Sequence, residues 1–460
     1  MQNYKQQFKG KKITVMGLGL LGRGLGYTKF LAECGADLIV TDLKTKEQLA
    51  TSLKALEKFP NIKFTLGEHR LEDFKNRDMI IKSAGVPLDS IFIAEAKIHC
   101  IPIEMDVSLF AKMAPGVMLI GVTGTRGKSI TTTLIYKILK DNEKLLKRNV
   151  YVGGNLRGIA TLPLLKKVNE GDILVCELDS WQLQGFGDNK ISPHISVFTT
   201  FMPDHMNYYR NSMEKYFEDK TNIFKYQNKD DILIIRPGMK ELIKRKAKSN
   251  KVGSPDASTE AFRVKGKFII INTKETASWK FNVPGIHHRE NMVCAVEVAK
   301  QLGIPLPKIK KEIESFKNLE GRLQLLRTYK GIKIYNDNNA TTPEATVAGI
   351  EALKSDKKNI ILICGGSDKN LPLESFLNAV NKHCKAVVTI PGTGTDTLEK
   401  SNIKVAKHTA KDVAESIKTA LILAKRGDII LFSPAFASFG VFNNEYERND
   451  LLMKIIKGLK

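Results

Sequence analysis

The chain has 460 residues, 42% of them hydrophobic and 26% charged, enough for two or three domains that each bury a core. No apolar run reaches the length of about 18 residues needed to cross a bilayer. The N-terminal MQNYKQQFKGKK also lacks the apolar core and cleavage site of a signal peptide, so neither a membrane anchor nor export is expected. The formal net charge of +23 comes from lysines spread along the chain, in runs such as KIKKE (308–312) and IKRKAKSNK (243–251), without interleaved aromatics. Lysines so spread read as solvated surface that favours polyanionic small substrates, and no nucleic-acid partner is expected. The six cysteines, Cys34, Cys100, Cys176, Cys294, Cys364 and Cys384, are scattered and form no CxxC pair. They read as buried thiols in a reducing compartment, which points to the cytoplasm.

In chain order, ITVMGLG (13–19) reads as a buried strand, followed by a glycine turn and a helix to about Cys34, then strands DLIVTD (37–42) and DMIIKSAG (78–85). VMLIGVTG (117–124) starts a second series, continued by DILVCEL (172–178) and HISVFTT (194–200). A third begins near Gly321 with GIKIYND (331–337), NIILICGG (359–366), AVVTIPG (386–392) and DIILFSPA (428–435). Strands alternating with helical runs mean parallel sheets with crossover helices. The fold class expected is α/β with three domains. These are an N-terminal Rossmann-like domain (1–113), a central P-loop ATPase-type domain (114–319) and a C-terminal Rossmann-like domain (320–460).

Two glycine loops carry chemistry. Gly17, Gly19 and Gly22 follow the first strand in GxGxxG spacing, and Asp42 ends the next strand 25 residues after Gly17. Glycines there let a backbone approach a diphosphate, and the following helix offers it free N–H groups. These properties select a nucleotide diphosphate, and on this loop alone a nicotinamide cofactor and another nucleotide remain equal alternatives. The second loop, Gly121 to Ser129, reads GxxGTxGKS between a strand and the helical run SITTTLIYKILKD, with Val122 where strict Walker spacing has glycine. Gly124 and Gly127 can turn N–H groups around phosphate oxygens, Lys128 can bridge the outer phosphates, and Ser129 can ligate Mg²⁺. Glu177, at a strand end, is placed to hold Mg²⁺. His205, in the turn MPDH (202–205), and Lys220, in a helical run, read by themselves as a structural histidine and a solvated charge.

Taken together these residues resemble the Mur ligase family. The similarity runs through GxxGTxGKS, Glu177-Leu178-Asp179-Ser180-Trp181-Gln182, Asp204-His205 and Lys220, then Gly285 to Asn291, Gly321-Arg322, Asn336-Asp337 and Ser433 to Ser438, in order over nearly the whole chain. The dinucleotide-like N-terminal domain, the ELxSxQL run and the SPAxAS run are most similar to the family member that adds D-glutamate to UDP-N-acetylmuramoyl-L-alanine in peptidoglycan synthesis. The resemblance implies an ATP-dependent ligase, acting as a monomer, in which ATP converts the substrate carboxylate to an acyl phosphate that the amine of D-glutamate attacks. It implies that Gly124, Thr125, Arg126, Gly127, Lys128, Ser129, Thr131, Asn291, Arg322 and Asp337 bind ATP. Two Mg²⁺ ions are implied on Ser129, Glu177, His205 and a CO₂-derived carbamate on Lys220, with Lys128, His205 and Lys220 catalytic. It assigns Gly19, Leu20, Leu21, Asp42, Gly85, Asn155, Ser180 and Gln182 to the UDP-sugar substrate, and Thr341, Lys369 and Ser438 to D-glutamate. The first glycine loop thereby becomes a uridine-nucleotide site.

The chain departs from the family pattern at several positions. Arg126 stands where asparagine is usual, in a GTRGKS form also similar to poly-γ-glutamate synthetases. Asp179 replaces a serine, and Asn339 replaces a lysine expected to help hold phosphate. A polyglutamate-type ligase of the same fold is the alternative; a nicotinamide-dependent oxidoreductase is one of a different class.

Overall fold

A computed structural model describes residues 4–249, 264–442 and 444–459, so the end of the basic run 243–251 lies outside the described residues. The chain divides into two compact units, residues 1–277 with 290–313, and residues 278–289 with 314–460.

The first unit holds two sheets. Strands β1 (Lys12–Met16), β2 (Asp37–Asp42), β3 (Ile62–Leu66), β4 (Met79–Lys82) and β5 (Ile103–Glu104) form the first, in the order β3-β2-β1-β4-β5, all parallel. Strands β6 (Met118–Thr123), β7 (Val150–Gly154), β8 (Ile173–Glu177), β9 (Ile195–Phe198), β10 (Ile232–Ile235) and β11 (Lys267–Ile270) form the second, in the order β11-β10-β9-β6-β8-β7, again all parallel. One apolar core runs through both sheets, from Phe8, Val15 and Leu38 to Phe110, Leu174 and Phe198. The side chain of Asp106 ties them together by accepting the Thr161 and Leu162 N–H groups at 2.8 and 2.7 Å.

The second unit holds β12 (Gln324–Tyr329), β13 (Ile332–Asn336), β14 (Ile360–Gly365), β15 (Cys384–Ile390), β16 (Ala406–Thr409) and β17 (Ile429–Ala435), in the order β12-β13-β17-β14-β15-β16. Its central strands are buried on both faces, as parallel strands between helices must be. Ile360, Leu362 and Cys364 face one apolar cluster, and Ile361 and Ile363 the other. The edge strand β12 pairs antiparallel with β13. That departs from the all-parallel expectation, because the turn at Lys330-Gly331, with both residues at positive φ, closes a hairpin that no crossover helix interrupts.

Observed strands are shorter than the expected runs where glycine or a loop begins: β1 stops at Met16 before Gly17, and β4 stops at Lys82. One cysteine corrects the expectation of burial. Cys100 is exposed, because the helix Ile91–Ile98 ends just before it and Cys100 itself takes φ 53° in the turn; the other five thiols are buried. Of the KIKKE lysines, Lys308 and Lys311 are exposed as expected and Lys310 is half-buried, on a helix that buries Ile309 and Ile313. Among the described residues no helix is long and apolar enough to cross a membrane.

Candidate functional site

The strand order places β6 between β8 and β9, so the C-terminal ends of all three meet around the loop that leaves β6. Two glycines let that loop turn. Gly124 has φ 146° and Gly127 φ 90°, the latter capping the helix Lys128–Lys140 in the left-handed region. A Cβ on Gly127 would collide with the Asn291 side chain, whose Cγ would be 3.0 Å away, so the buried Asn291 amide packs directly on the loop. The loop is braced from β9's extension. Thr125 and Arg126 donate their N–H groups to the Thr200 carbonyl and hydroxyl, each at 2.8 Å, and Thr199 Oγ1 donates to the Arg126 carbonyl at 2.5 Å. Lys128 Nζ arches over the loop, donating to the Gly124 and Thr125 carbonyls at 3.0 and 3.2 Å. Ser129 is half-buried in the first turn of the helix, and Thr131 is fully buried one position beyond Ile130.

Glu177 ends β8 beside Val122 of β6. It is 3% exposed, and its Oε2 has no hydrogen-bond partner. A buried, unpaired carboxylate oxygen is costly unless a cation or donor meets it. Asn155 sits across β8 from the loop, its N–H donating to the Glu177 carbonyl at 2.8 Å. Lys220, on the helix Met213–Thr221, is 1% exposed and donates to the Gly124 carbonyl at 3.1 Å and Thr123 Oγ1 at 3.4 Å. Burial, helped by the neighbouring Lys128 charge, pushes its amine well below the ordinary lysine range; Asp179, Asp204 and Asp219 pull the other way. His205 takes φ 56° in its turn. Its ring centroid is 4.7 Å from that of Trp181, and its N–H donates to Asp204 Oδ1 at 3.0 Å.

Three residues without a role in the sequence reading belong to this region. Asp204 pairs with Arg126 at 3.5 Å, so the arginine that departs from the family pattern meets the carboxylate next to His205. Trp181 supports the His205 ring. Asp179 caps the helix Ser180–Asp188 by accepting the Gln182 N–H at 2.7 Å, while Gln182 Oε1 accepts the Asp179 N–H at 3.2 Å. The capping signature D-x-x-Q at 179–182 was readable in the sequence; the Arg126–Asp204 pair, between residues far apart in the chain, was not.

In the first sheet Gly17, Gly19 and Gly22 all take positive φ, 94°, 65° and 82°. Asp42 has another task beside them: its carboxylate accepts the Gly19 N–H at 2.8 Å and the Lys44 N–H at 2.9 Å, bracing the glycine loop. Leu20 is exposed, and Leu21 accepts the Gly158 N–H at 2.8 Å, linking this loop to the segment after Asn155. Gly85 lies exposed in the turn after β4, and Ser180 and Gln182 are buried at the start of their helix.

The second unit gathers the remaining residues at the C-terminal ends of β13, β14 and β17. Lys369 Nζ lies 3.5 Å from Thr341 Oγ1. Ser438 follows Ala437, which exchanges backbone hydrogen bonds with Ser367 at 2.9 and 3.0 Å. Asp337 accepts the N–H of Leu323, which follows Arg322 in the chain, at 3.0 Å and the Ser433 hydroxyl at 2.8 Å. Asn339 donates its N–H to the Gly321 carbonyl at 3.0 Å. Its neighbour Asn338 is held by Arg448, which is 1% exposed and donates to Asn338 Oδ1 at 2.8 Å.

Three α/β sheets, a phosphate-type loop at a strand–helix junction and a buried carboxylate and amine beside it define a nucleotide-dependent enzyme. The family profiles described as Mur ligase MurD-like N-terminal domain, Mur ligase middle domain, and Mur ligase glutamate ligase domain match residues 11–104, 122–299 and 321–436. The UDP-N-acetylmuramoylalanine–D-glutamate ligase of Roseiflexus sp. (strain RS-1) is 32% identical over 475 aligned positions, covering 98% of this chain and 99% of that protein. The ligase of the same name from Clostridioides difficile (strain 630) is 32% identical, covering 95% and 96%. Among solved structures, the UDP-N-acetylmuramate-alanine ligase of Thermotoga maritima superposes with a TM-score of 0.61 at 17% identity, covering 98% of this chain and 100% of that one. The MurF ligase of the same organism, in complex with ADP, gives 0.56 at 16% identity, covering 98% and 96%. The chain belongs to the Mur ligase family.

Proposed function

We propose that this chain is the ATP-dependent ligase that joins D-glutamate to UDP-N-acetylmuramoyl-L-alanine in peptidoglycan synthesis. The observation that carries this reading is end-to-end similarity, at 32% identity, to relatives named for that activity. The reaction begins when the alanyl carboxylate attacks the γ-phosphorus of ATP, forming an acyl phosphate and releasing ADP. The amine of D-glutamate then attacks the acyl carbon. The tetrahedral adduct collapses to the amide, phosphate leaves, and the amine proton passes to solvent or a nearby base.

The chain's own residues fit these steps. The loop Gly124 to Ser129 binds the phosphates of ATP through the Lys128 amine and backbone N–H groups other than those of Thr125 and Arg126, with Thr131 and Asn291 behind them; Arg322 and Asp337 are the further residues that the family pattern assigns to ATP. The unpaired Glu177 Oε2 fits a divalent cation, and Ser129 supplies a second oxygen. Among the described residues no three His, Cys, Asp or Glu side chains gather into a metal cage. Mg²⁺ needs none, because it takes one or two protein oxygens and completes its shell with phosphate and water. Two such ions, when bound, offset the repulsion between the γ-phosphate and the attacking carboxylate. His205 and Lys220 serve the second.

An ammonium at Lys220 would repel a cation. Burial favours the neutral amine at Lys220, which can add to CO₂, forming an N–C bond and losing a proton to give a carbamate with two oxygen donors. The glycine loop from Gly19 to Leu21, with Gly85, Asn155, Ser180 and Gln182, holds the UDP-sugar, while Asp42 shapes that loop. Lys369, Thr341 and Ser438 hold D-glutamate, the lysine matching its side-chain carboxylate. Incubation with both substrates, ATP and Mg²⁺ should yield a product heavier than UDP-N-acetylmuramoyl-L-alanine by one glutamyl residue in mass spectrometry. Turnover of other acceptors and not of this one would overturn the assignment in favour of a polyglutamate-type ligase.

A further inference from the structure

Lys82 ends β4, in the first sheet, and is 2% exposed. A lysine so placed needs a reason, because burying its charge is penalised and the side chain is usually at the surface. Part of the reason is local. Its Nζ donates to the Val86 carbonyl at 2.9 Å and the Ala84 carbonyl at 3.5 Å, pinning the turn that carries Gly85. An ammonium has three N–H groups, and these contacts use two.

The rest of the surroundings is a small cavity of about 30 Å³, room for roughly two water-sized groups. Its walls include Lys82, Arg23 and Gly24 from the helix that follows the first glycine loop, Tyr27, Asp106 and Gln182. The one carboxylate in that wall is already engaged: Asp106 accepts the Thr161 and Leu162 N–H groups. Tyr27 OH donates to the Gly17 carbonyl at 3.2 Å. Asp179, Asp188 and Asp219 act on Lys82 electrostatically, without a hydrogen bond to it. The cavity therefore has two cationic side chains, Lys82 and Arg23, beside the glycine loop, and one carboxylate, Asp106, which lies near Arg23 and is held by two backbone N–H groups.

We propose that Lys82 is a further substrate-binding residue, whose third N–H donates to an anionic oxygen of the UDP-sugar in this cavity. The assignment rests on the reading of the chain as a UDP-sugar ligase. An anion at Nζ favours the charged amine, so binding holds the proton more tightly. Burial leaves the free amine at about 8, below the ordinary lysine value. An anionic ligand raises that value, so the affinity is full below about 8 and falls as pH rises through the bound-state value. Binding near pH 8.5 must then take up part of a proton.

The test is calorimetric titration of the full chain with UDP-N-acetylmuramoyl-L-alanine at pH 7 and pH 8.5, in buffers of different ionisation enthalpy. Wild type should take up part of a proton at pH 8.5 and almost none at pH 7. Lys82→Met should bind roughly tenfold to a hundredfold more weakly, the range for losing a hydrogen bond between charged groups, and take up none. Lys82→Arg stays charged at both pH values; it should bind more tightly than Lys82→Met and also take up none. UDP and UDP-N-acetylglucosamine, which lack the alanyl carboxylate, show which anion is met: uptake with either assigns the diphosphate, and uptake with the alanyl substrate alone assigns the carboxylate. Binding by wild type without proton uptake at pH 8.5 overturns the Lys82 assignment by itself, even if Lys82→Met fails to fold. Absence of binding by any of the three nucleotides overturns the ligase reading and this assignment together.

Discussion

Lys220→Met keeps the length of the side chain and removes the nitrogen on which the carbamate would form. If that carbamate holds a cation that stabilises phosphate charge, its loss costs several kcal/mol of barrier. At 1.36 kcal/mol per decade, kcat should fall by roughly 10² to 10⁴. The fold should survive. The amine makes one ordinary contact, 3.1 Å to the Gly124 carbonyl, and one long one, 3.4 Å to Thr123 Oγ1. Losing them costs about 1–3 kcal/mol, offset by no longer burying a group whose charged form burial disfavours. The assay is phosphate release from ATP with UDP-N-acetylmuramoyl-L-alanine and D-glutamate, with circular dichroism and ATP binding as controls for the fold. Lys220→Ala should lose activity similarly, and added short carboxylates should restore part of it by occupying the carbamate's place. Wild-type kcat in Lys220→Met with the fold intact would refute the role given to Lys220.

Lys82 gives a pH prediction in stability. Its folded value of about 8 lies below the ordinary 10.5, so between those values the unfolded chain holds more protons and stability rises with pH. Wild type should therefore gain up to about 3 kcal/mol relative to Lys82→Met from pH 8 to pH 10.5, read by urea unfolding; a constant difference would show that Lys82 titrates as in the unfolded chain. Arg126→Asn removes the partly buried pair with Asp204 beside His205, worth about 1 kcal/mol, and kcat/KM for ATP should drop roughly fivefold; an unchanged value would leave the pair no part in catalysis. Gly127→Ala forces a Cβ into the left-handed region against Asn291. It should cost about 1–2 kcal/mol, lower Tm by about 2–8 °C and weaken ATP binding, all checked by calorimetry. Asn339→Lys restores a cation where the family usually has one, and should lower the KM for ATP roughly twofold to fivefold in steady-state assays.

The phosphate loop was legible because its chemistry dictates its residues: only glycine takes φ 90° at Gly127 without cost, and a strand must precede it and a helix follow. The buried strands β2, β6, β8, β14 and β17 were legible as apolar runs. Short or half-polar strands such as β5, β7 and β12 were not, since period alone does not separate them from loops. Burial of charged groups was the least legible quantity. Lys220 read as a solvated lysine and Lys82 drew no reading of its own, yet each is buried by segments far away in the chain. Lys220 was recovered only through the family pattern. Asp42 was read as a ligand group at a strand end, and its carboxylate also braces the glycine loop by accepting the Gly19 and Lys44 amides. That role depends on where the glycine loop folds, which the spacing does not specify. Cys100 was misread for the opposite reason: an apolar neighbourhood, IHCIP, ends a helix at the surface.

Phosphate release from ATP, measured with UDP-N-acetylmuramoyl-L-alanine and Mg²⁺ and either D- or L-glutamate, tests the central claim most directly. Sustained release with the D form and none above background with the L form is the expected result. Equal release with both, or release only with a different acceptor, would contradict it.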